Sequence, residues 1–130
     1  MSRAMDWLTQ SEAFLRDARR VHKKKSYYLT CFTCQQSAEF ALKAASEFLK
    51  LRCWGHDLPQ LLAILETQGK IVIPPQIQNA CSILSKYYIS ARYPDAYSQG
   101  TPSTLFSKQQ SRSAIQLANE VVTFAKSVIK

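Results

Sequence analysis

The chain has 130 residues, with 17 lysine and arginine side chains against nine acidic ones and a formal net charge of +8. This length predicts one domain, 1–130, and the 46% of hydrophobic residues is enough for a core, which excludes a disordered chain. No apolar run approaches the ~20 residues of a membrane span, and the first ten residues lack the apolar core of a signal peptide, so we expect a soluble cytoplasmic protein. The positive charge favours anionic partners such as nucleotides or RNA, although it also serves solubility.

The first predicted helix runs from about Arg3 to Lys24, with apolar residues at helical spacing along one face. Five cations lie on the opposite face: Arg16, Arg19, Arg20, Lys23 and Lys24. This basic face is either a contact for RNA or phosphate or a solvated surface, and the pattern favours the solvated surface.

The second predicted helix begins after Ser26, a residue suited to cap it, and reaches about Leu51. A helix that is apolar nearly all round is central in a bundle or buried in an interface, and on this basis we predict a symmetric dimer. Its narrow polar stripe holds Gln35, Gln36, Glu39, Lys43 and Ser46. Since Glu39 and Lys43 stand at i,i+4 spacing, they form either a structural ion pair or, if they line a cleft, part of a ligand site.

Two cysteine motifs resemble a zinc site on paper. Cys31 and Cys34 form a C-x-x-C, and Cys53 with His56 forms a C-x-x-H further along. If one helix covers 27–51, however, Cys34 and Cys53 lie roughly 28 Å apart along its axis. We therefore expect no metal and no other cofactor, and we interpret the cysteines as buried free thiols.

A short third helix is predicted over 57–68. Asp57 with Gln60 has the pattern of a capping box at its start, and Gly69 suits the position after its end. Pro74 and Pro75 then open a fourth helix, where proline is tolerated in the first turn.

The last predicted helix starts with a second capping-box pattern, Ser107 with Gln110, and runs to about Ile129. It has the cleanest apolar stripe in the chain. Together the elements predict an all-α protein, an antiparallel four-helix up-and-down bundle with an additional short helix.

The stretch KYYISARYPDAY, Lys86–Tyr97, joins the end of the fourth helix to a loop. Pro94 ends the helical pattern because it lacks an N–H group and disfavours the α conformation in the preceding residue. Arg92, Asp95 and Tyr97 therefore lie at a helix end beside the core. Long loops in small domains often carry function, so these residues form either a ligand site or a plain surface turn.

Four segments in this order resemble the HEPN domain family: DWLTQSE at 6–12, CQQSAEFALKA at 34–44, WGHDLPQLL at 54–62 and ARYPDAY at 91–97. The resemblance covers nearly the whole chain. It implies an antiparallel helical bundle that is often homodimeric and often encoded beside a minimal nucleotidyltransferase.

The resembling family also includes RNases with an R-x(4–6)-H motif, whose Arg and His face each other across a dimer cleft. Counting from Arg92, the histidine falls at 97 to 99, where this chain has Tyr97, Ser98 and Gln99. None of these is a good general base near neutral pH. His56, interpreted as a capping or packing histidine, is the histidine best placed to lie near the Arg92 loop.

We therefore predict a HEPN-like, non-catalytic homodimer that binds a nucleotide or other phosphate-bearing ligand or partners a minimal nucleotidyltransferase. In this hypothesis Arg92 contacts phosphate with its planar guanidinium, and Asp95 and Glu39 orient it. The other predicted ligand-binding residues are Gln36, Lys43 and Tyr97. Two alternatives stay open: a metal-independent endoribonuclease of the HEPN toxin type and a dimeric scaffold without a ligand.

Overall fold

The computed structural model describes residues 2–130, which form helices joined by turns, with no strand among them. The α-helices are α1 (Ala4–Lys23), α2 (Tyr27–Phe48), α3 (Leu58–Thr67), α4 (Pro75–Ser85), α5 (Tyr87–Ser90), α6 (Pro102–Leu105) and α7 (Lys108–Val128), and a 3₁₀ turn covers Pro94–Ala96. The predicted all-α class is confirmed. None of the helices in residues 2–130 is long and apolar enough to cross a membrane.

The four long helices alternate in direction. In α1 and α2, the Ser11 hydroxyl donates to the Ser37 carbonyl at 2.6 Å, and the Trp7 ring lies 5.0 Å from Phe40, so the two helices are antiparallel. α7 is antiparallel to α1, because the end of α7 pairs with the first half of α1 through Lys126 and Glu12. α4 begins beside the end of α7 and therefore runs antiparallel to it. This is the predicted up-and-down bundle, with α3 as the additional short helix.

α2 is the central helix of the bundle. Twelve of its 22 residues are buried, and it contacts each of the other six α-helices. Its central position is confirmed, but one chain already covers most of its apolar surface. The dimer therefore stays a prediction, and the apolar character of α2 does not by itself support it.

The two predicted capping boxes differ in outcome. At the start of α7 the Gln110 N–H donates to the Ser107 hydroxyl at 3.1 Å, and the box is complete. At the start of α3 the Asp57 side chain makes no capping bond. Instead the Leu58 N–H donates to the Ser85 hydroxyl of α4 at 3.0 Å. The predicted Asp57 box is wrong because a side chain distant in sequence satisfies the helix end.

Three helices end with a lysine in the left-handed conformation: Lys25 (φ 65°), Lys50 (φ 59°) and Lys70 (φ 57°). In each case the next N–H bonds back to a carbonyl in the last turn of the helix. Lys70, and not the predicted Gly69, takes this conformation after α3. The second helix likewise ends at Phe48, three residues before the predicted Leu51.

The residues between α2 and α3 determine where the site lies. Segment 49–57 runs back along α2, so that His56, which follows the end of α2 in sequence, lies beside Glu39 in the middle of that helix. The predicted fourth helix is divided at Lys86 into α4 and α5, and α5 packs on α2. α5 and segment 49–57 thus bring Arg92 and His56 to the same side of α2.

Candidate functional site

The Arg92 guanidinium is surrounded by aromatic rings. Its central carbon lies 4.3 Å from the centroid of Tyr88, 4.7 Å from that of Phe32 and 4.9 Å from that of Tyr93. Its Nε donates to the Tyr88 carbonyl at 2.7 Å. Among the described residues no carboxylate lies within ion-pair distance of Arg92, and its two terminal nitrogens have no hydrogen-bond acceptor. The cation is therefore held in place by rings and one carbonyl, with its outer edge free.

Glu39 is the centre of a second group of polar side chains. Only 2% of this side chain is exposed, and Lys43 Nζ donates to its Oε2 at 2.9 Å. Its Oε1 accepts from His56 Nδ1 at 2.9 Å and from Gln35 Nε2 at 3.0 Å. A buried carboxylate needs such partners because water is excluded. Glu39 and Lys43 form an ion pair, which is one of the two roles left open for them. His56, which is bonded to the same carboxylate and is 46% exposed, connects this pair to the surface.

Tyr88 connects these two groups. The His56 ring stacks on the Tyr88 ring with centroids 4.0 Å apart and an interplanar angle of 14°. Since the Arg92 guanidinium lies 4.3 Å from the same ring, the imidazole and the guanidinium are separated by no more than the sum of these distances. A buried carboxylate, an imidazole, a phenol ring and a guanidinium thus form one continuous cluster.

The predicted site residues are only partly brought together. Asp95 is exposed on the 3₁₀ turn, and neither it nor Glu39 pairs with Arg92, so the expected carboxylate orientation of Arg92 is replaced by aromatic contacts. The Tyr97 hydroxyl donates to the Ser90 carbonyl at 2.7 Å, which fastens the loop to α5. Gln36 lies beside the Glu39 group, where its amide donates to Gln35 Oε1 at 2.8 Å.

A hollow of about 390 Å³ opens on the other side of Lys43. Trp7 and Arg52 line it, together with Trp54, which is 74% exposed. Lys43 Nζ lies 5.9 Å from the Trp7 ring centroid. Lys43 therefore borders both the Glu39 group and a hollow that contains two indole rings and a second cation.

The four cysteines are free thiols, and three of them are buried: Cys31, Cys34 and Cys81. Burial raises the pKa of Cys31 and of Cys81 to about 12, so these thiols stay protonated near neutral pH. His56, the other half of the zinc-like pattern, is bonded to Glu39. In residues 2–130 no group of three or more His, Cys, Asp or Glu side chains is arranged to hold a metal ion.

Sequence reasoning missed the rings that hold Arg92. Neither Tyr88 nor Phe32 is among the site residues predicted from the sequence. One signal was present: Tyr88 and Arg92 stand at i,i+4 spacing, which places them on one face of a helix. The pairing of His56 with Glu39 had no local signal, because it depends on the path of segment 49–57 along α2.

The fold and the site together define a small α-helical bundle domain with a polar cluster around its central helix. The HEPN domain model matches residues 4–128. The chain therefore belongs to the HEPN domain family, as the resemblance implied.

Solved structures agree with this assignment. TT1696 from Thermus thermophilus is 34% identical, with a TM-score of 0.94 over 98% of this chain and 99% of that one. ST0689, an archaeal HEPN homologue, is 31% identical, with a TM-score of 0.83 over 100% of both chains. The HEPN domain protein TM0613 from Thermotoga maritima, at 22% identity and a TM-score of 0.76 over 95% of this chain and 97% of that one, shares the fold. Among curated proteins no significant match is found.

Proposed function

We propose that this HEPN protein binds a phosphate-bearing ligand such as a nucleotide at Arg92 and acts as a binding protein, alone or with a minimal nucleotidyltransferase. One observation carries the proposal: the Arg92 guanidinium has no carboxylate partner among the described residues, and its outer edge is free. A guanidinium presents donors in a planar fork that matches two oxygens of a phosphate or carboxylate.

The rings around Arg92 prepare it for such a contact. Tyr88 and Phe32 restrict the guanidinium plane, and the bond from Nε to the Tyr88 carbonyl fixes the last flexible part of the side chain. A side chain that is already ordered loses less conformational entropy when a ligand binds. Arg92 therefore needs no carboxylate to orient it, and its charge is not neutralised by one.

The remaining predicted residues surround this contact in the proposal. Glu39 holds Lys43 and His56 in fixed positions, and Lys43 adds a second positive charge. Gln36 supplies an amide, while Asp95 and Tyr97 border the site on the loop side as hydrogen-bonding groups.

The hollow beside Lys43 suits the base of a nucleotide. Aromatic side chains bind bases by stacking, which contributes about 1–3 kcal/mol per base. Trp54 is exposed in this hollow, and no ring within residues 2–130 stacks on it. Trp54→Ala should therefore weaken the binding of adenosine triphosphate by about 1–2 kcal/mol and leave tripolyphosphate binding unchanged. Equal losses for both ligands in calorimetric titrations would exclude stacking on Trp54.

We further propose that two copies of the chain pair next to Arg92. Three large apolar side chains are exposed on the segments that hold Arg92 and its rings: Leu29 (37%) on α2, Ile89 (50%) on α5 and Tyr93 (46%). A symmetric pair uses one self-complementary patch, so it would cover these residues and place two Arg92 sites near each other. Light scattering at micromolar concentration tests this; Ile89→Lys should give monomers, and a monomeric wild type would contradict it.

The main experiment is calorimetric titration of adenosine triphosphate and tripolyphosphate into wild type, Arg92→Ala and Arg92→Lys. Arg92→Ala should weaken binding by roughly 1.5–3 kcal/mol, the scale of a charge-assisted hydrogen bond. Arg92→Lys should also weaken it, because an ammonium cannot reproduce the fork. Arg3→Ala, an exposed arginine paired with Asp6, is the matched control. Unchanged affinity in both Arg92 variants would contradict the proposal.

The position of His56 favours a second candidate function, an endoribonuclease. With its Nδ1 hydrogen bonded to Glu39, neutral His56 has Nε2 as an acceptor, and 46% of the side chain is exposed. His56 Nε2 would take the proton of an RNA 2′-hydroxyl, the 2′-oxygen would attack the phosphorus, and the 5′-oxygen would leave with a proton from water. Arg92 would stabilise the additional negative charge on the phosphate.

An RNA cleavage assay without metal ions distinguishes the two candidates. The enzyme candidate requires 2′,3′-cyclic phosphate products from the purified wild type and their loss in both His56→Gln and Arg92→Ala. The binding candidate expects no cleavage above that of a preparation carrying both substitutions. Glu66→Gln, at an exposed position of α3 that belongs to neither the Arg92 cluster nor the end of α1, is the control.

A further inference from the structure

The positive charge of this protein is concentrated in two segments of the chain. Residues 18–38 and 96–119 contain seven of the 17 lysines and arginines and none of the nine acidic residues. All but one unit of the net charge of +8 therefore comes from these segments. The seven cations are Arg19, Arg20, Lys23, Lys24, Lys25, Lys108 and Arg112.

The fold brings the two segments together at one end of the bundle. The first contains the end of α1 and the start of α2, and the second contains the start of α7. His22 Nδ1 and the Ser111 hydroxyl are 2.7 Å apart, which joins α1 to α7 at this end. We call the surface formed by the seven cations the basic end.

The cations of the basic end are exposed and mostly unpaired. All seven are exposed, and within residues 2–130 the one ion pair among them is Arg20 with Asp17, at 3.0 Å. Burial lowers the pKa of His22, and the charges of Arg112 and Lys108 lower it further. Cations from α7 thus act on a side chain of α1, as expected if they share one surface.

Aromatic rings lie beside these charges. The His22 and Tyr27 rings are 5.7 Å apart, and Tyr27 and Tyr28 are half-buried at the start of α2. Tyr28 stands one helical turn before Phe32, which contacts Arg92. Basic side chains with interleaved aromatic rings are the chemistry of surfaces that follow a single-stranded nucleic acid.

We propose that the basic end binds the phosphate backbone of a single-stranded RNA. Unpaired cations spread over two helices suit a chain of phosphates, because each cation that contacts a phosphate releases a counterion. The inference does not depend on ligand binding at Arg92, since its cations belong to other elements. Its partner is a polymer, whereas the ligand of the main proposal for Arg92 is a small molecule.

The test measures the binding of a labelled single-stranded RNA by fluorescence anisotropy across a series of salt concentrations. The RNA has about 12 nucleotides, which is within the site sizes known for such surfaces. The test variant combines Lys23→Gln, Lys24→Gln and Lys108→Gln. The control variant combines Lys50→Gln, Lys70→Gln and Lys130→Gln, which removes the same charge from the opposite end of the bundle. All six residues are exposed, so melting curves should match that of the wild type.

The test variant should bind at least about tenfold more weakly at low salt, and the slope of log K against log salt should fall by about two, the value for three lost phosphate contacts on a single strand. The control variant should stay within about twofold of the wild type.

Equal weakening of both variants would overturn the proposal, because net charge alone would then explain binding. Absence of salt-dependent binding by the wild type would also overturn it. If poly-glutamate displaces the RNA at equal charge concentration, the surface belongs to an acidic protein partner and the assignment to RNA fails.

Discussion

Glu39 and Asp95 were both expected to orient Arg92, and the structure gives them opposite environments. Glu39 is 2% exposed on the central helix and accepts hydrogen bonds from Lys43, His56 and Gln35. Asp95 is exposed on a short 3₁₀ turn, and the described residues offer it no ion pair.

The difference shows what fixes a polar side chain in this fold. Glu39 is fixed because the bundle buries it, and burial of a charge requires partners. Arg92 is fixed by aromatic rings and needs no carboxylate. Asp95 is fixed by neither. The two carboxylates should therefore differ sharply in their contribution to stability. Glu39→Ala and Asp95→Ala test this directly, and two substitutions at helix starts give an intermediate reference.

Glu39→Ala should have the largest effect, a loss of about 3 kcal/mol in the free energy of unfolding. Removing one partner of a buried pair typically costs about 3–5 kcal/mol. We expect the lower value because Lys43, at 16% exposure, and His56, at 46%, can turn towards water. Urea unfolding measures it. Glu66→Ala, on an exposed position of α3, is the control, and a loss of less than about 1 kcal/mol for Glu39→Ala would show that the Glu39 group is not a stabilising centre.

Ser107→Ala should have an intermediate effect, because it removes a capping bond that the structure contains. The expected loss is about 1 kcal/mol in the free energy of unfolding. Asp57→Ala should cost less, since the Asp57 side chain does not cap α3 and Ser85 serves that helix instead. If thermal melts rank the two variants in the opposite order, the capping assignments at α3 and α7 are wrong.

Asp95→Ala should have the smallest effect on stability, within about 0.5 kcal/mol of the wild type, as is usual for exposed side chains without partners. Differential scanning calorimetry suffices to measure this. A loss comparable to that of Glu39→Ala would mean that Asp95 is paired in solution and that the comparison with Glu39 does not hold.

The fold could be predicted from sequence because its signals are local and periodic. The apolar stripe of α7 and the Ser107 box lie within one segment, and both are confirmed. The exceptions depended on distant residues: Ser85 caps α3 from another helix. A left-handed lysine after α3, where glycine was expected, shows that the same backbone bonds form without the favoured residue.

For the candidate site, the sequence predicted which residues take part better than it predicted which contacts they make. Glu39, Lys43 and Gln36 lie on α2 and Arg92 follows α5, in the two segments from which the site was predicted. The Lys43–Glu39 pair is local, at i,i+4 spacing, whereas the pairing of His56 with Glu39 depends on the path of segment 49–57. No periodic pattern specifies that path, so the role of His56 became visible only in three dimensions.

The most direct test of the account is Arg92→Ala, with its free energy of unfolding and its affinity for adenosine triphosphate measured on the same preparation. If rings and the Tyr88 carbonyl hold Arg92 without a carboxylate, the loss of stability should be about 1 kcal/mol, the scale of cation–π contacts at a partly exposed site, while affinity falls by roughly 1.5–3 kcal/mol. The opposite result, a stability loss of about 3–5 kcal/mol with unchanged affinity, would contradict the account and identify Arg92 as a structural residue of a scaffold.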